Sequence, residues 1–291
     1  MTDPQVMSPC YRHPGVLTGV HCARCGRPIC TQCMIVAPVG FQCPDCVATA
    51  TAAQRQPTTV AGGRISERPV VTYTLIGISA VVYLVQALSG TDRATGLDPV
   101  STNYGMWPIG IAANGEWYRL ISAAFLHGGW LHLAFNMYVL YALGPTLEKI
   151  LGHSRYLLLY LLAALGGGVA SYAFSSMNTV SVGASGAIFG LMGALVVAGR
   201  RLRYDVTQVL ILLGINVVIG FISPGVDWRA HLGGLITGAV VAAIFVFPAP
   251  KYRTLVQVLG ILAVVGVMVI ITMWRTAQIL DFLAPAAGLF T

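Results

Sequence analysis

The sequence predicts an all-α polytopic membrane protein: six core helices and a seventh C-terminal transmembrane helix, preceded by a small zinc-binding domain. Three observations carry this. Of 291 residues, 56% are hydrophobic and 9% charged, whereas a soluble chain carries roughly 25% charged residues. From Val70 onward, apolar stretches of membrane length alternate with short polar breaks. All seven cysteines fall between Cys10 and Cys46. The composition excludes a soluble enzyme. It also excludes disorder, which needs low hydrophobicity and high net charge.

Residues 1–48 hold four pairs, each with two residues between its members: Cys10 and His13, Cys22 and Cys25, Cys30 and Cys33, Cys43 and Cys46. Eight ligands suffice for two tetrahedral zinc ions. A segment this short buries little core, so metal binding would supply its folding energy. Disulfides are the rival reading, but a cytoplasmic location keeps thiols reduced. His21, beside Cys22, is read as a bystander. Residues 49–69, rich in Ala, Thr, Gln, Gly and Arg, read as a flexible linker.

A helix needs about 20 residues to cross the hydrocarbon. Spans are expected near Val70–Leu88, Gly129–Leu147, Tyr156–Phe174, Ala184–Gly199, Val206–Ile222, Ala230–Phe247 and Leu255–Met273. Residues 70–250 form the six-helix core and 251–291 the seventh helix and tail. The intervening segment 89–128, with Trp107, Trp117 and Tyr118, suits a loop at the membrane interface. With the N-terminus cytoplasmic, 13 of the 17 Lys and Arg lie inside and 4 outside. The positive-inside rule then selects that orientation, and the net charge of +7 reports topology, with no nucleic-acid partner expected. No charged and apolar leader pattern opens the chain.

Polar groups at membrane depth are costly and by default mark function. They are His127, His132, Asn136, Glu148, Asn216, His231 and Ser185, the last within Val182-Gly183-Ala184-Ser185-Gly186-Ala187. The second, fourth and sixth spans all begin at the outer face. His132, Asn136, Ser185 and His231 therefore converge at one depth. A serine hydroxyl needs an adjacent base, and His231 is at the right level. His132 and Asn136 share a helix face and could donate to the same oxyanion as the Ser185 amide. Gly183 and Gly186 permit a sharp turn and close backbone approach, and Gly234-x3-Gly238 lets helices pack closely. His127 points to a different side and reads as structural, Asn216 as an interhelical hydrogen bonder, and Glu148 with Lys149 as an interfacial ion pair or a helix end. The acids Asp227 and Glu116 lie on the correct side, but in loops. The reading is a Ser185–His231 dyad.

His127-x4-His132-x3-Asn136, Gly183-x-Ser185-Gly186-Ala187 and Ala230-His231-x2-Gly234-x3-Gly238 together resemble the rhomboid intramembrane serine proteases, over about residues 70–250. The resemblance implies a six-helix rhomboid core with Ser185 as nucleophile and His231 as base. His132, Asn136 and the Ser185 amide would hold the oxyanion, with His127 in support. It implies no catalytic cofactor, and single-span membrane proteins as substrates, cut near the outer end of the transmembrane helix. Glu116-Trp117-Tyr118-Arg119 resembles the family's Trp-Arg motif, with Tyr118 in the aromatic position before the arginine. Phe189 stands where the family often has a tyrosine stacked on the histidine, which keeps the ring and loses a hydroxyl. The N-terminal pairs resemble a B-box-type zinc finger, which implies cross-bracing: pairs one and three share one zinc, pairs two and four the other. The finger's expected role is contact with a cytoplasmic protein partner. The expected location is a bacterial plasma membrane, with the active site opening to the outer face. Rival readings are a catalytically silent relative that binds membrane clients, and a transporter using the buried histidines.

Overall fold

In the computed structural model, residues 7–53, 58–91, 96–223 and 225–287 are described. They fall into two units, Met1–Pro57 and Thr58–Thr291.

The first unit builds almost no regular structure. Strand β1 (Ser8–Pro9) pairs antiparallel with β2 (Leu17–Thr18), and β3 (Ile35–Val36) with β4 (Phe41–Gln42). Helix α1 (Pro44–Ala53) follows, opened by a proline and by Asp45 in its first turn, both suited to a helix N-terminus. The buried core of this unit is Cys10, Cys22, Ile29, Cys30, Cys33 and Cys43. Five of those six residues are cysteines, so apolar burial alone cannot hold the unit together.

The named elements of the second unit are all helices. α2 (Val70–Leu88) leads into three short helices, α3 (Pro99–Tyr104), α4 (Pro108–Asn114) and α5 (Arg119–Ser122), and a 3-10 turn at Ala123–Phe125. Then come α6 (Trp130–Leu151), α7 (His153–Phe174), α8 (Ser185–Leu202), α9 (Thr207–Ile222), α10 (Trp228–Val246) and α11 (Arg253–Ala287). Among the described residues five helices are both long and apolar enough to cross a membrane: α2, α7, α8, α10 and α11. α6 has 22 residues, but its polar side chains lower its hydropathy. α9 is apolar yet only 16 residues long.

α8 is the centre of the unit. Two thirds of its most apolar window is buried (67%), against 11% for α11, so α11 is a peripheral helix of the unit. α8 begins at Ser185, and the preceding segment pairs Ser181 with Met106 as an isolated bridge. α11 runs well past the expected end at Met273. At 1.5 Å per residue its 35 residues span about 52 Å, more than the ~30 Å hydrocarbon. Its extension is held by the Tyr172–Thr276 hydroxyl pair (2.7 Å), by Arg275 donating to the Ser175 carbonyl (3.0 Å) and by burial of Ile279.

Glu148 ties the opposite end. Its carboxylate is buried and accepts from the amides of Val71 and Thr72 (both 2.9 Å), the Thr72 hydroxyl (2.7 Å) and His153 Nδ1. The start of α2 and the end of α6 are thus fixed together through one side chain. Residues 58–64 form a turn against the α6–α7 junction. The Thr59 hydroxyl accepts from the Gly63 amide (2.9 Å) and donates to the Leu151 carbonyl (3.3 Å).

Candidate active site

α6, α8 and α10 all begin at the same end of the helical unit, and each delivers polar groups there. α8 and α10 lie unusually close. A methyl group at Gly234 would overlap the Gly186 carbonyl, and one at Gly238 would overlap that of Gly190. Small residues of this kind let two helix backbones approach. The approach sets His231, in the first turn of α10, against Ser185, the first residue of α8.

The His231 Nε2 to Ser185 Oγ distance is 2.8 Å. The ring of Phe189, one turn after the serine, stacks on His231 at 4.1 Å between centroids and 13° between planes. A flat stack of this kind fixes the imidazole orientation. Among the described residues, no carboxylate is hydrogen-bonded to His231. Asp227 is nearby but committed elsewhere: Oδ1 accepts from the Ala230 amide (3.2 Å) as the N-cap of α10, and Oδ2 accepts the Ser171 hydroxyl. Glu116 is likewise occupied, by Arg119.

Gly183 turns the chain into α8. Its φ is +141°, and a methyl group there would sit 2.8 Å from His132 Cε1 and 3.0 Å from Nε2. Glycine is therefore required both by the backbone and by the imidazole beside it. His132 Nδ1 accepts the Gly128 amide (3.2 Å). An imidazole that accepts at Nδ1 carries its proton at Nε2 when neutral, and Nε2 is the nitrogen facing Gly183 and Ser185. The Asn136 amide donates one hydrogen to the His132 carbonyl (2.8 Å) and retains a second. The Ser185 amide is among the helix-start N–H groups that lack an intrahelical acceptor. His132 and Asn136 line the same cavity as Ser185.

His127 lies just before α6, buried, with its ring edge-on to His132 at 5.3 Å. Neither ring nitrogen has a hydrogen-bond partner among the described residues. Its backbone is gripped by Gln86 of α2, whose Oε1 accepts the His127 amide (3.0 Å) and whose Nε2 donates to the His127 carbonyl (3.2 Å). Gln86 also donates to Ser101 (2.8 Å) and Asp98 (3.2 Å), so it joins α2, the interhelical loop and the approach to α6. Gln86 and Ser171 are not among the residues that the sequence singles out. An amide inside an apolar span was a usable signal for Gln86; nothing local marks Ser171.

A cavity of about 570 Å³ opens over these groups, lined by Ser185, His231, His132 and Asn136, with Phe135 of α6 and Asn216 of α9 on its flank. It is large enough for several waters or a peptide segment. The loop between α2 and α6 is braced by Arg119, 3% exposed. Its Nε donates to Glu116 (2.6 Å) and its Nη1 to the carbonyls of Thr102 and Gly105 (both 2.9 Å). Its guanidinium lies 5.8 Å from the rings of both Trp107 and Tyr118. Trp117 is outside that stack.

In the other unit the four pairs form two clusters. Cys10, His13, Cys30 and Cys33 lie together, as do Cys22, Cys25, Cys43 and Cys46, with all ligand atoms of each set within 4.8 Å of one another. A tetrahedral ion with bonds of about 2.3 Å places its thiolates about 3.8 Å apart. Cys25 and Cys43 Sγ are 3.7 Å apart, so the donor set fits a tetrahedral metal of that size. All seven thiols are free of disulfides. Burial alone would raise the Cys22 thiol, but amide donors from Cys43, Cys25 and Arg24 outweigh it and bring the pKa down to about 6. Cys10 comes to about 6 in the same way, against burial, through the amides of Cys30, Arg12 and His13. Arg27 adds positive charge at the second cluster, donating to Cys25 (3.3 Å) and Cys43 (3.5 Å) Sγ while pairing with Asp45 (2.9 Å). His21 lies in an isolated bridge with Pro28 and in neither cluster.

A family model described as the Rhomboid domain matches residues 114–248. Among curated proteins the chain is similar to Rhomboid protease GluP of Bacillus subtilis (strain 168), 36% identical over 186 residues, which cover 62% of this chain and 36% of that protein. It is also similar to Putative rhomboid protease YdcA of the same organism, 37% identical over 175 residues, 58% of this chain and 85% of that protein. Rhomboid protease AarA of Providencia stuartii is 28% identical over 214 residues, 62% of this chain and 74% of that protein. The chain thus spans about a third of GluP and most of YdcA.

Proposed function

Since the chain belongs to the rhomboid family, we propose that it is an intramembrane serine endopeptidase working through a Ser185–His231 dyad, with single-span membrane proteins as substrates. The observation that carries this reading is the 2.8 Å contact between His231 Nε2 and Ser185 Oγ, in a cavity that also carries His132 and Asn136.

The groups suit the chemistry. His231 Nε2 takes the proton from Ser185 as Oγ attacks the scissile carbonyl carbon. The carbonyl oxygen gains negative charge and accepts hydrogen bonds from the Ser185 amide, His132 Nε2–H and the free Asn136 hydrogen. His231 then gives its proton to the departing amine, leaving an acyl group on Ser185. Water from the cavity, deprotonated by His231, attacks that ester and returns the hydroxyl to Ser185. No acid is needed to hold the imidazole, because Phe189 stacks on it. A helical peptide bond is shielded from attack, so the substrate must unwind locally. Small or helix-breaking residues near the cut are therefore expected.

The basic excess favours the N-terminus and its finger in the cytoplasm, with the cavity opening on the outer face of a bacterial plasma membrane. The two Cys/His clusters are read as structural zinc sites, since closed four-ligand shells leave no open position for catalysis. The finger is then a docking module for a cytoplasmic protein.

The test is cleavage of a model single-span substrate by detergent-purified protein, comparing wild type with Ser185→Ala and His231→Ala. The wild type is expected to cleave and both variants to lose activity with folding intact. Undiminished cleavage by Ser185→Ala would overturn the nucleophile assignment, and no cleavage by wild type would favour the silent-relative reading.

A further inference from the structure

At the end of the helical unit opposite Ser185, two arginines face one another with no acid paired to either among the described residues. Arg155 lies in the first turn of α7 and Arg253 opens α11. Both are half-buried. A methyl group built on Gly62 would lie 2.8 Å from Arg253 Nη1 and 3.6 Å from Arg155 Nη2, so both guanidinium groups crowd the same glycine turn.

Few protein acceptors meet them among the described residues. Arg155 Nε donates to Gln257 Oε1 (3.2 Å). Gln257 is itself occupied, donating to the carbonyls of Ala61 (3.0 Å) and Phe245 (3.2 Å). Arg253 Nε is fully buried and has no partner among the described residues. The three salt bridges among the described residues involve Arg27, Arg119 and His153, and none is at this place. Two like charges held this close and partly screened from water repel each other, and a buried N–H without a partner is costly. Both side chains also belong to the positive ends of long helices, which adds to the local potential.

We propose that Arg155 and Arg253 form a binding site for a phosphate group, clasped between the Gly62 turn and the first turns of α7 and α11. The planar forks of two arginines match the oxygens of a phosphate monoanion. The first turns of two spanning helices lie at headgroup depth, where basic pockets between helices take anionic lipid headgroups. A free phosphate offers the same oxygens. The site is independent of the protease reading, because none of its residues touches the Ser185 cavity.

The experiment measures lipid retention by native mass spectrometry, together with thermal unfolding, of the delipidated full-length protein in neutral detergent. Phosphatidylglycerol, phosphatidylcholine or inorganic phosphate is added back. Wild type is expected to retain phosphatidylglycerol over phosphatidylcholine. Arg155→Gln and Arg253→Gln should each weaken that retention about fivefold, while Arg200→Gln with Arg201→Gln, exposed at the end of α8, should leave it within about twofold. Without added anion, Arg253→Gln should unfold at a higher temperature than wild type, because the repulsion is gone; with phosphatidylglycerol the order should invert. Stabilisation by inorganic phosphate equal to that by phosphatidylglycerol, lost in the same variants, would assign the site to soluble phosphate. Equal retention of the two lipids by wild type, or undiminished phosphatidylglycerol retention by the Arg155→Gln/Arg253→Gln variant, would overturn the proposal.

Discussion

Gly234 of α10 packs directly against the carbonyl oxygen of Gly186 in α8, with no space between them for a methyl group. Gly186 follows Ser185, and Gly234 lies one helical turn after His231. The glycine contact therefore sets the distance between hydroxyl and imidazole. Gly234→Ala should force the helices apart, destabilising the protein by about 1–3 kcal/mol and abolishing cleavage. Gly214→Ala, at a helical glycine with open space around it, should leave both unchanged. Thermal unfolding and substrate cleavage of the two variants, side by side, check this.

His132 differs from a general base in its wiring. With Nδ1 accepting the Gly128 amide, the neutral ring can only donate from Nε2 toward the serine. His132→Ala should therefore lower kcat by about 10²–10³-fold with little change in KM, since the donor acts on charge that develops in the transition state. Its melting temperature should stay near that of wild type. A variant that lost substrate binding instead, with kcat preserved, would remove His132 from the oxyanion role.

Much of this was legible because a membrane imposes strong rules. Apolar runs of fixed length marked the helices, and the alternation of their directions alone brought His132, Asn136, Ser185 and His231 to one depth. The paired spacing of the cysteines likewise marked the finger. Illegible were features that depend on partners distant in sequence. The four donors that converge on Glu148 come from Val71, Thr72 and His153, and no local pattern announces them. The grip of Gln86 on the His127 backbone joins residues 41 apart. Asp227 caps α10 by accepting the Ala230 amide, a contact local enough to read, but the Ser171 hydroxyl that takes its other oxygen, leaving neither bonded to His231, follows only from packing. The overrun of α11 past Met273 was hidden because hydropathy detects the bilayer-embedded length and not the helix end.

The finger gives a prediction on metal. Its buried core is five cysteines and Ile29, so removal of the metal should remove its fold. Purified protein is expected to carry about two zinc ions per chain by elemental analysis. Chelation should render residues 1–57 sensitive to protease, while the unfolding temperature of the helical unit stays constant. Changing Cys25 and Cys46, which belong to one cluster, should lower the content to about one. A zinc content near zero in wild type would refute the metal reading.

Glu148 lies twelve residues beyond Asn136 along α6, about 18 Å at 1.5 Å per residue, so it can affect the fold without touching the chemistry. Its two oxygens face donors on every side: Oε1 accepts the Val71 amide and His153, and Oε2 accepts the Thr72 amide and hydroxyl. A glutamine there keeps the shape but turns one oxygen into a donor, which must then face another N–H. Leaving a buried amide unsatisfied costs about 1–3 kcal/mol. Each kcal/mol corresponds to about 2–4 °C in a domain of 150–250 residues. Glu148→Gln should therefore melt several degrees below wild type, while its cleavage rate well below the melting point stays within about twofold. Thr72→Val, which removes only the hydroxyl donor and leaves the amide bonds in place, should fall between the two in melting temperature. A Glu148→Gln protein with normal stability and reduced kcat would instead place Glu148 in the catalytic cycle, against the separation of the two ends that the geometry sets up.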